Sequence, residues 1–181
     1  MDRTTFFVVA KNWGDTNATL YGSDLNYSGQ LGLSDRIKSV HVLTELRKNV
    51  LIVAAGSYHS YTVDDEGRMF ATGQNMYAQL GLGAGGGQHF GFEQVTFPGP
   101  FVLTRIAAGN THGRALNSNK TLYMWGFVGE GATGQPCIAG DEEKDICHPT
   151  KVDLPSQKQI LDFCSGGQFS AVVIREDADD M

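Results

Sequence analysis

Ala54-Ala55-Gly56-Ser57-Tyr58-His59-Ser60 returns as Ala107-Ala108-Gly109-Asn110-Thr111-His112-Gly113, and a worn third copy reads Cys164-Ser165-Gly166-Gly167-Gln168-Phe169-Ser170. A second motif follows in frame. Met69-Phe70-Ala71-Thr72-Gly73-Gln74-Asn75 leads to Ala78-Gln79-Leu80-Gly81-Leu82-Gly83, and Leu122-Tyr123-Met124-Trp125-Gly126 leads to Gly131-Ala132-Thr133-Gly134. Upstream, Leu20-Tyr21-Gly22-Ser23-Asp24-Leu25-Asn26 leads to Gly29-Gln30-Leu31-Gly32-Leu33. A third motif closes each unit at Val40-His41-Val42-Leu43, Val95-Thr96-Phe97-Pro98 and Val152-Asp153-Leu154-Pro155. Three motifs that keep their order through three passes, at a spacing of about 50 residues, define a repeat protein.

Each unit reads as strands. Tyr58 to Val63 favours β structure, Asp64-Asp65-Glu66-Gly67 is turn chemistry, and Arg68 to Thr72 returns. The next unit repeats this through Arg114-Ala115-Leu116, Asn117-Ser118-Asn119-Lys120, and Thr121 to Trp125. Stretches around Val40, Val95 and Val152 supply a third strand. Val50 to Ala55, Phe101 to Ala108 and Ile160 to Cys164 supply a fourth. Four short strands per unit describe a propeller blade, so the expected class is all-β. The 23 glycines agree, since average usage gives about 13 in a chain of this length and the excess suits tight turns and bulges.

Ala-x-Gly-x-x-His-[Ser/Thr], a hairpin, then [Val/Leu]-[Tyr/Phe]-x-Trp-Gly-x-Asn-x-x-Gly-Gln-Leu-Gly resembles the repeat of the RCC1 (regulator of chromosome condensation) family. Ala54 through Gly83 matches closely, with Thr72 at the usual Trp and Ala78 at the usual Gly. The first copy departs at Ser23 and Asp24; the third keeps Trp125-Gly126 but loses the Asn and the Gln-Leu pair. WD40 blades are shorter and carry a Trp-Asp pair that is absent here, and the double glycine of Kelch units is not repeated. The resemblance implies a partial propeller of about three to three and a half four-stranded blades. The expected units are about 1–55, 56–108 and 109–165, with a last strand at 166–175 and an acidic tail at 176–181. Family rings close with about seven blades. This chain supplies three periods and one further strand, so a fragment, a second copy or a covering partner is expected to deal with the open sheet edges.

Composition limits the partners. The net charge is −6 and the pI about 5.2, and the basic residues are scattered singly, which disfavours direct nucleic-acid binding. No apolar run is long enough to cross a bilayer, and Phe6-Phe7-Val8-Val9 is too short for a signal core. With the odd cysteine number (Cys137, Cys147 and Cys164), an intracellular, reducing setting is expected, in cytoplasm or nucleus with an organelle left open.

His59, with Ser60 beside it, and His112 invite a catalytic reading. Their recurrence at one frame position argues for structure, because an active site is needed once and a fold position in every blade; Phe169 in the third copy suits a buried packing role. Gly56, Gly73, Asn75, Gly81, Gly109, Trp125, Gly126 and Gly134 are read likewise as structural repeat positions. Gly83-Ala84-Gly85-Gly86-Gly87 lacks the Gly-Lys-[Ser/Thr] ending of a phosphate cradle and reads as a loop. Cys137 and Cys147-His148 lack zinc-ligand spacing, so neither metal nor cofactor is expected. The insertion between them carries Asp141, Glu142, Glu143 and Asp145, the segment expected to grip a basic partner surface.

Three functions follow from the resemblance. The leading expectation is a non-catalytic protein-interaction scaffold. The others are guanine-nucleotide exchange on a Ran-like small GTPase and a structural subunit of a large assembly. No nucleophile–base pair or carboxylate pair stands outside the repeat positions, so an enzyme is not expected.

Overall fold

A computed structural model describes residues 5–11, 18–127, 145–153, 159–167 and 169–175. These form thirteen strands and no helix: β1 (Phe6–Ala10), β2 (Thr19–Leu25), β3 (Ser39–Lys48), β4 (Val50–Ala55), β5 (His59–Asp64), β6 (Met69–Gln74), β7 (Gln88–Gln94), β8 (Leu103–Ala108), β9 (His112–Asn117), β10 (Leu122–Gly126), β11 (Ile146–Lys151), β12 (Gln159–Ser165) and β13 (Ser170–Arg175). They pair antiparallel into four sheets, β1-β2-β3, β4-β5-β6-β7, β8-β9-β10-β11 and β12-β13. This is an arc of propeller blades, two with four strands, as the repeat implies.

The sheets straddle the sequence units. Each full sheet opens on the strand that runs into the glycine of the Ala-x-Gly motif, β4 or β8, and these first strands lie beside one another, β4 against β8 and β8 against β12. The blades therefore radiate from their first strands. Val95 and Val152 fall just past β7 and β11, yet their amides still bond to Met69 O and Leu122 O, both at 2.9 Å.

Burial explains the strand order. β5 and β9, the second strands, are buried at every position, sandwiched between neighbouring blades. The main core lies at the junction of the two full blades and gathers Tyr61, Val63, Met69, Leu80, Leu103, Tyr123 and Trp125. A second cluster of Leu116, Leu122, Met124, Val152, Ile160 and Phe163 joins the third sheet to the fourth. Arg105 and Asp162 tie β8 to β12 by an ion pair of 2.7 Å, and Arg47 of β3 lies over the Phe70 ring of β6, 3.5 Å from its centre. In antiparallel sheets alternate connections share an end. The β4–β5, β8–β9 and β12–β13 loops thus lie on one face of the arc with the long loops after β2 and β6. The β5–β6 and β9–β10 turns lie on the other.

Candidate interaction surface

The repeated histidines stand inside the wall between blades. His59 is fully buried. Its ring meets Tyr61 edge-on at 4.9 Å, and burial, aided by the charge of His112, lowers its pKa to about 3. His112 is equally enclosed. Its Nε2 lies 3.0 Å from Ser170 Oγ of the next sheet, and burial, then the Arg114 charge, lowers its pKa to about 4. The two enclosed rings thus stand at equivalent junctions, shielded from solvent. Phe169 differs from the expectation of burial, at 65% exposed. His59 and His112 are covered because the turn carrying the motif glycine leans on that of the following sheet, Gly56 on Gly109 O and Gly109 on Gly166 O. Among the described residues no further sheet lays a turn against Phe169.

The other frame residues explain one another. Gly56 and Gly109 close the turn into the second strand, each donating its N–H to the histidine carbonyl at 2.9 Å. Gly73 and Gly126 end the third strand at φ +111° and +98°. Asn75 is buried, accepts from Leu80 N at 3.0 Å and donates to Ala84 O at 3.2 Å, which shapes the long loop. Asn26 does the same one blade earlier, accepting from Leu31 N at 3.0 Å and donating to Ile37 O at 2.8 Å. Gly81 lies beneath the Trp125 ring.

Sequence reasoning missed the acceptor that joins the two full blades, the main-chain carbonyl of Gln79. Trp125 Nε1 donates to it at 2.8 Å and the Tyr61 hydroxyl also donates to it. One junction earlier, Ser60 Oγ donates to Gln30 O at 2.7 Å and Thr72 Oγ1 to Gly29 O at 2.8 Å. The first blade, where Ser23-Asp24 replaces the Trp-Gly pair, carries instead a recess of about 330 Å³ lined by Ser23, Asp24, Val40 and His41.

Asp145 is half-buried and burial raises its carboxyl pKa. Asp141, Glu142, Glu143, Gly134, Cys137 and the 176–181 tail lie outside the described residues; Cys147 and Cys164 are free thiols. Among the described residues no group of three or more His, Cys, Asp or Glu side chains is placed to hold a metal ion, and no helix is long and apolar enough to cross a membrane.

The loop-rich face exposes large side chains. Tyr58, Met76 and Tyr77 are exposed there, and Tyr77 meets Phe127 of the next blade edge-on at 5.3 Å. Ser57 and Asn110, joined at 2.6 Å, bridge the same two blades.

No family model matches the chain. Among curated proteins it is 30% identical over 154 residues to the serine/threonine-protein kinase Nek9 of Xenopus laevis, covering 82% of this chain and 16% of that protein. It is 30% identical over 145 residues to the X-linked retinitis pigmentosa GTPase regulator of Mus musculus (78% and 14%). It is 27% identical over 154 residues to the mitochondrial RCC1 domain-containing protein RUG3 of Arabidopsis thaliana (84% and 32%). Among solved structures, Prp20p of Saccharomyces cerevisiae superposes with a TM-score of 0.75 at 23% identity, over 96% of this chain and 44% of that one. Human WBSCR16 does so with a TM-score of 0.73 at 21% identity, over 88% and 42%. The chain thus spans about a third or less of these curated relatives and under half of the solved propellers.

Proposed function

Because this chain belongs to the RCC1-like β-propellers, we propose that it is a non-catalytic scaffold whose blades hold loops rigidly for protein partners inside the cell. The observation that carries this reading is the burial of His59 and His112 within the blade junctions, which leaves the repeated polar residues to the fold and the loops to recognition. Asp141, Glu142, Glu143 and Asp145 form the proposed contact to a basic partner surface. Charge reversal of all four to Lys is expected to weaken a partner that the intact protein retains on an affinity column, while the thermal midpoint stays unchanged. Unchanged partner affinity would remove this segment from the reading.

Guanine-nucleotide exchange is the second reading, favoured by a relative named a GTPase regulator. A propeller face would displace nucleotide and Mg²⁺ without forming a covalent bond. GDP release from a Ran-like GTPase, followed at high concentration of this protein, separates the two. Acceleration selects exchange; an unchanged release rate selects the scaffold.

A further inference from the structure

The first blade differs from the two that follow at the bulge where its third-strand equivalent ends. There Asp24, Gly73 and Gly126 face Val40, His89 and Ile146 in register. In the second blade the polar groups at this place are paired: Thr72 Oγ1 donates to Gly29 O at 2.8 Å, and His89 Nδ1 lies 2.6 Å from Glu93 Oε1. In the third, Trp125 Nε1 donates to Gln79 O at 2.8 Å. In the first, Ser23, Asp24 and His41 line the recess of about 330 Å³ with Val40. Among the described residues none of these three polar side chains has a hydrogen-bond or ion-pair partner. Asp24 holds its place at φ +91° where the other blades have glycine. A strained residue whose carboxylate bonds to nothing in the fold points to a role outside it.

The adjoining loop does not satisfy Asp24. Between β2 and β3 its charged residues are Asp35, Arg36 and Lys38. Ser34 donates its hydroxyl to Asp35 at 3.2 Å, and Lys38 Nζ lies over the Phe90 ring of the second blade, 5.6 Å from its centre. Neither Arg36 nor Lys38 pairs with Asp24. With two charges of each sign, this neighbourhood exerts little long-range pull, so recognition rests on contacts inside the recess. Those contacts are acceptors: two carboxylate oxygens, the Ser23 hydroxyl oxygen and the bare ring nitrogen of a neutral imidazole. One carboxylate and one imidazole are too few to hold a zinc ion firmly. An ammonium brings three donors from a point, whereas a guanidinium brings five in a planar fork that matches a carboxylate, on a stem that can pack against Val40. We propose that this recess binds a guanidinium group, the arginine side chain of a protein partner. Asp24 pairs with it, and Ser23 and His41 accept from its remaining N–H groups. This rests on the scaffold reading, whose basic partner surface supplies the arginine, and adds one contact to it.

The test titrates N-acetyl-arginine amide into the isotope-labelled whole chain and follows the backbone amide resonances of Asp24 and His41. Saturable shifts with a Kd below about 20 mM are expected. N-acetyl-citrulline amide, which has the same shape without the charge, should leave them unmoved, and N-acetyl-lysine amide should bind at least about threefold more weakly. Asp24→Asn keeps the size and tolerates positive φ, and should weaken the arginine probe at least about tenfold. Ser23→Ala should weaken it about threefold. Asp35→Asn, on the adjoining loop, should stay within about twofold. Circular dichroism checks that each variant is folded. No saturation by about 50 mM, equal binding of the citrulline or lysine probe, or unchanged affinity in Asp24→Asn overturns the proposal. So do shifts of the same amides by zinc ion when the arginine probe causes none. Equal retention of a protein partner by parent and Asp24→Asn, with the probe unbound, overturns it while leaving the scaffold standing. Probe binding by a protein that retains no partner supports the recess and removes the scaffold.

Discussion

Trp125 and Gly113 face each other across the β10–β9 register, and the indole occupies the space a side chain at 113 would need; a Cβ there would strike both Trp125 and the Tyr61 hydroxyl. The equivalent pair one blade earlier is Thr72 opposite Ser60. Large with none, and small with small, are two solutions to one junction. In the first the indole reaches Gln79 O; in the second two hydroxyls reach Gly29 O and Gln30 O. Gly113→Ser alone should destabilise by about 3 kcal/mol through overpacking. Trp125→Thr alone should cost about 3 to 5 kcal/mol through the lost indole. The double variant, which transplants the Thr72–Ser60 pair, should lose at least about 1 kcal/mol less than the sum, as residues in contact do. Urea denaturation of the four proteins measures this. Strict additivity would mean that the two positions do not share the junction.

Asn75 holds its loop through the Leu80 amide and the Ala84 carbonyl. Asn75→Ala leaves that buried N–H without an acceptor, so a loss of about 2 to 3 kcal/mol is expected, read as a lower urea midpoint. Faster amide exchange at Leu80 than at Leu116 would locate the damage in the loop. A midpoint within error of the parent would show that the turn is held by other contacts.

The strands were legible because alternation and turn chemistry are written in side chains. β4 matches its expected bounds, and β5, β6, β10 and β12 shift by one residue or two. That His59 and His112 take equivalent places was legible because they recur; both are buried. Gln79 was not, for its contribution is a main-chain carbonyl, which every residue owns. A signal did exist in the paired change from Ser60 and Thr72 to Gly113 and Trp125, but its meaning depends on knowing that 60 faces 72. Phe169 misled because burial at that frame position is conferred by the following blade, not by the residue's own apolarity.

Asp24 adopts φ +91° at the frame position where Gly73 and Gly126 have +111° and +98°. A residue with a Cβ is strained there by about 1 to 3 kcal/mol, and glycine is not. Glycine also loosens the unfolded chain, at a cost of up to about 1 kcal/mol. Asp24→Gly is therefore expected to stabilise by about 1 kcal/mol, raising the thermal midpoint by a few degrees, about 2 to 4 °C for a domain of this size. A fall in the midpoint would mean that the aspartate side chain offsets its own strain within the recess it shares with Ser23 and His41.

The two junction histidines make stability sensitive to acid. Unfolded histidine titrates near 6.5, whereas His59 and His112 are held at about 3 and about 4 in the fold. Above about pH 6.5 neither state is protonated at these rings and stability does not vary through them. As pH falls below that value the unfolded chain binds protons that the folded chain refuses, so stability declines toward about pH 4, where His112 accepts its proton, and then about pH 3, where His59 does. Near pH 5 the difference approaches two protons, a slope of about 2.7 kcal/mol per pH unit from the pair. His59→Phe removes one titrating ring and places at 59 the residue the third repeat carries at 169, where Phe already sits against the turn glycine Gly166. Urea midpoints of parent and variant between about pH 7.5 and 4.5 isolate the histidine contribution from that of the carboxylates, because the carboxylates are shared. The parent should lose stability faster by about 1.4 kcal/mol per pH unit below pH 6. Parallel curves would mean that His59 is protonated in the folded chain, and the dry junction ascribed to it would have to be open to water.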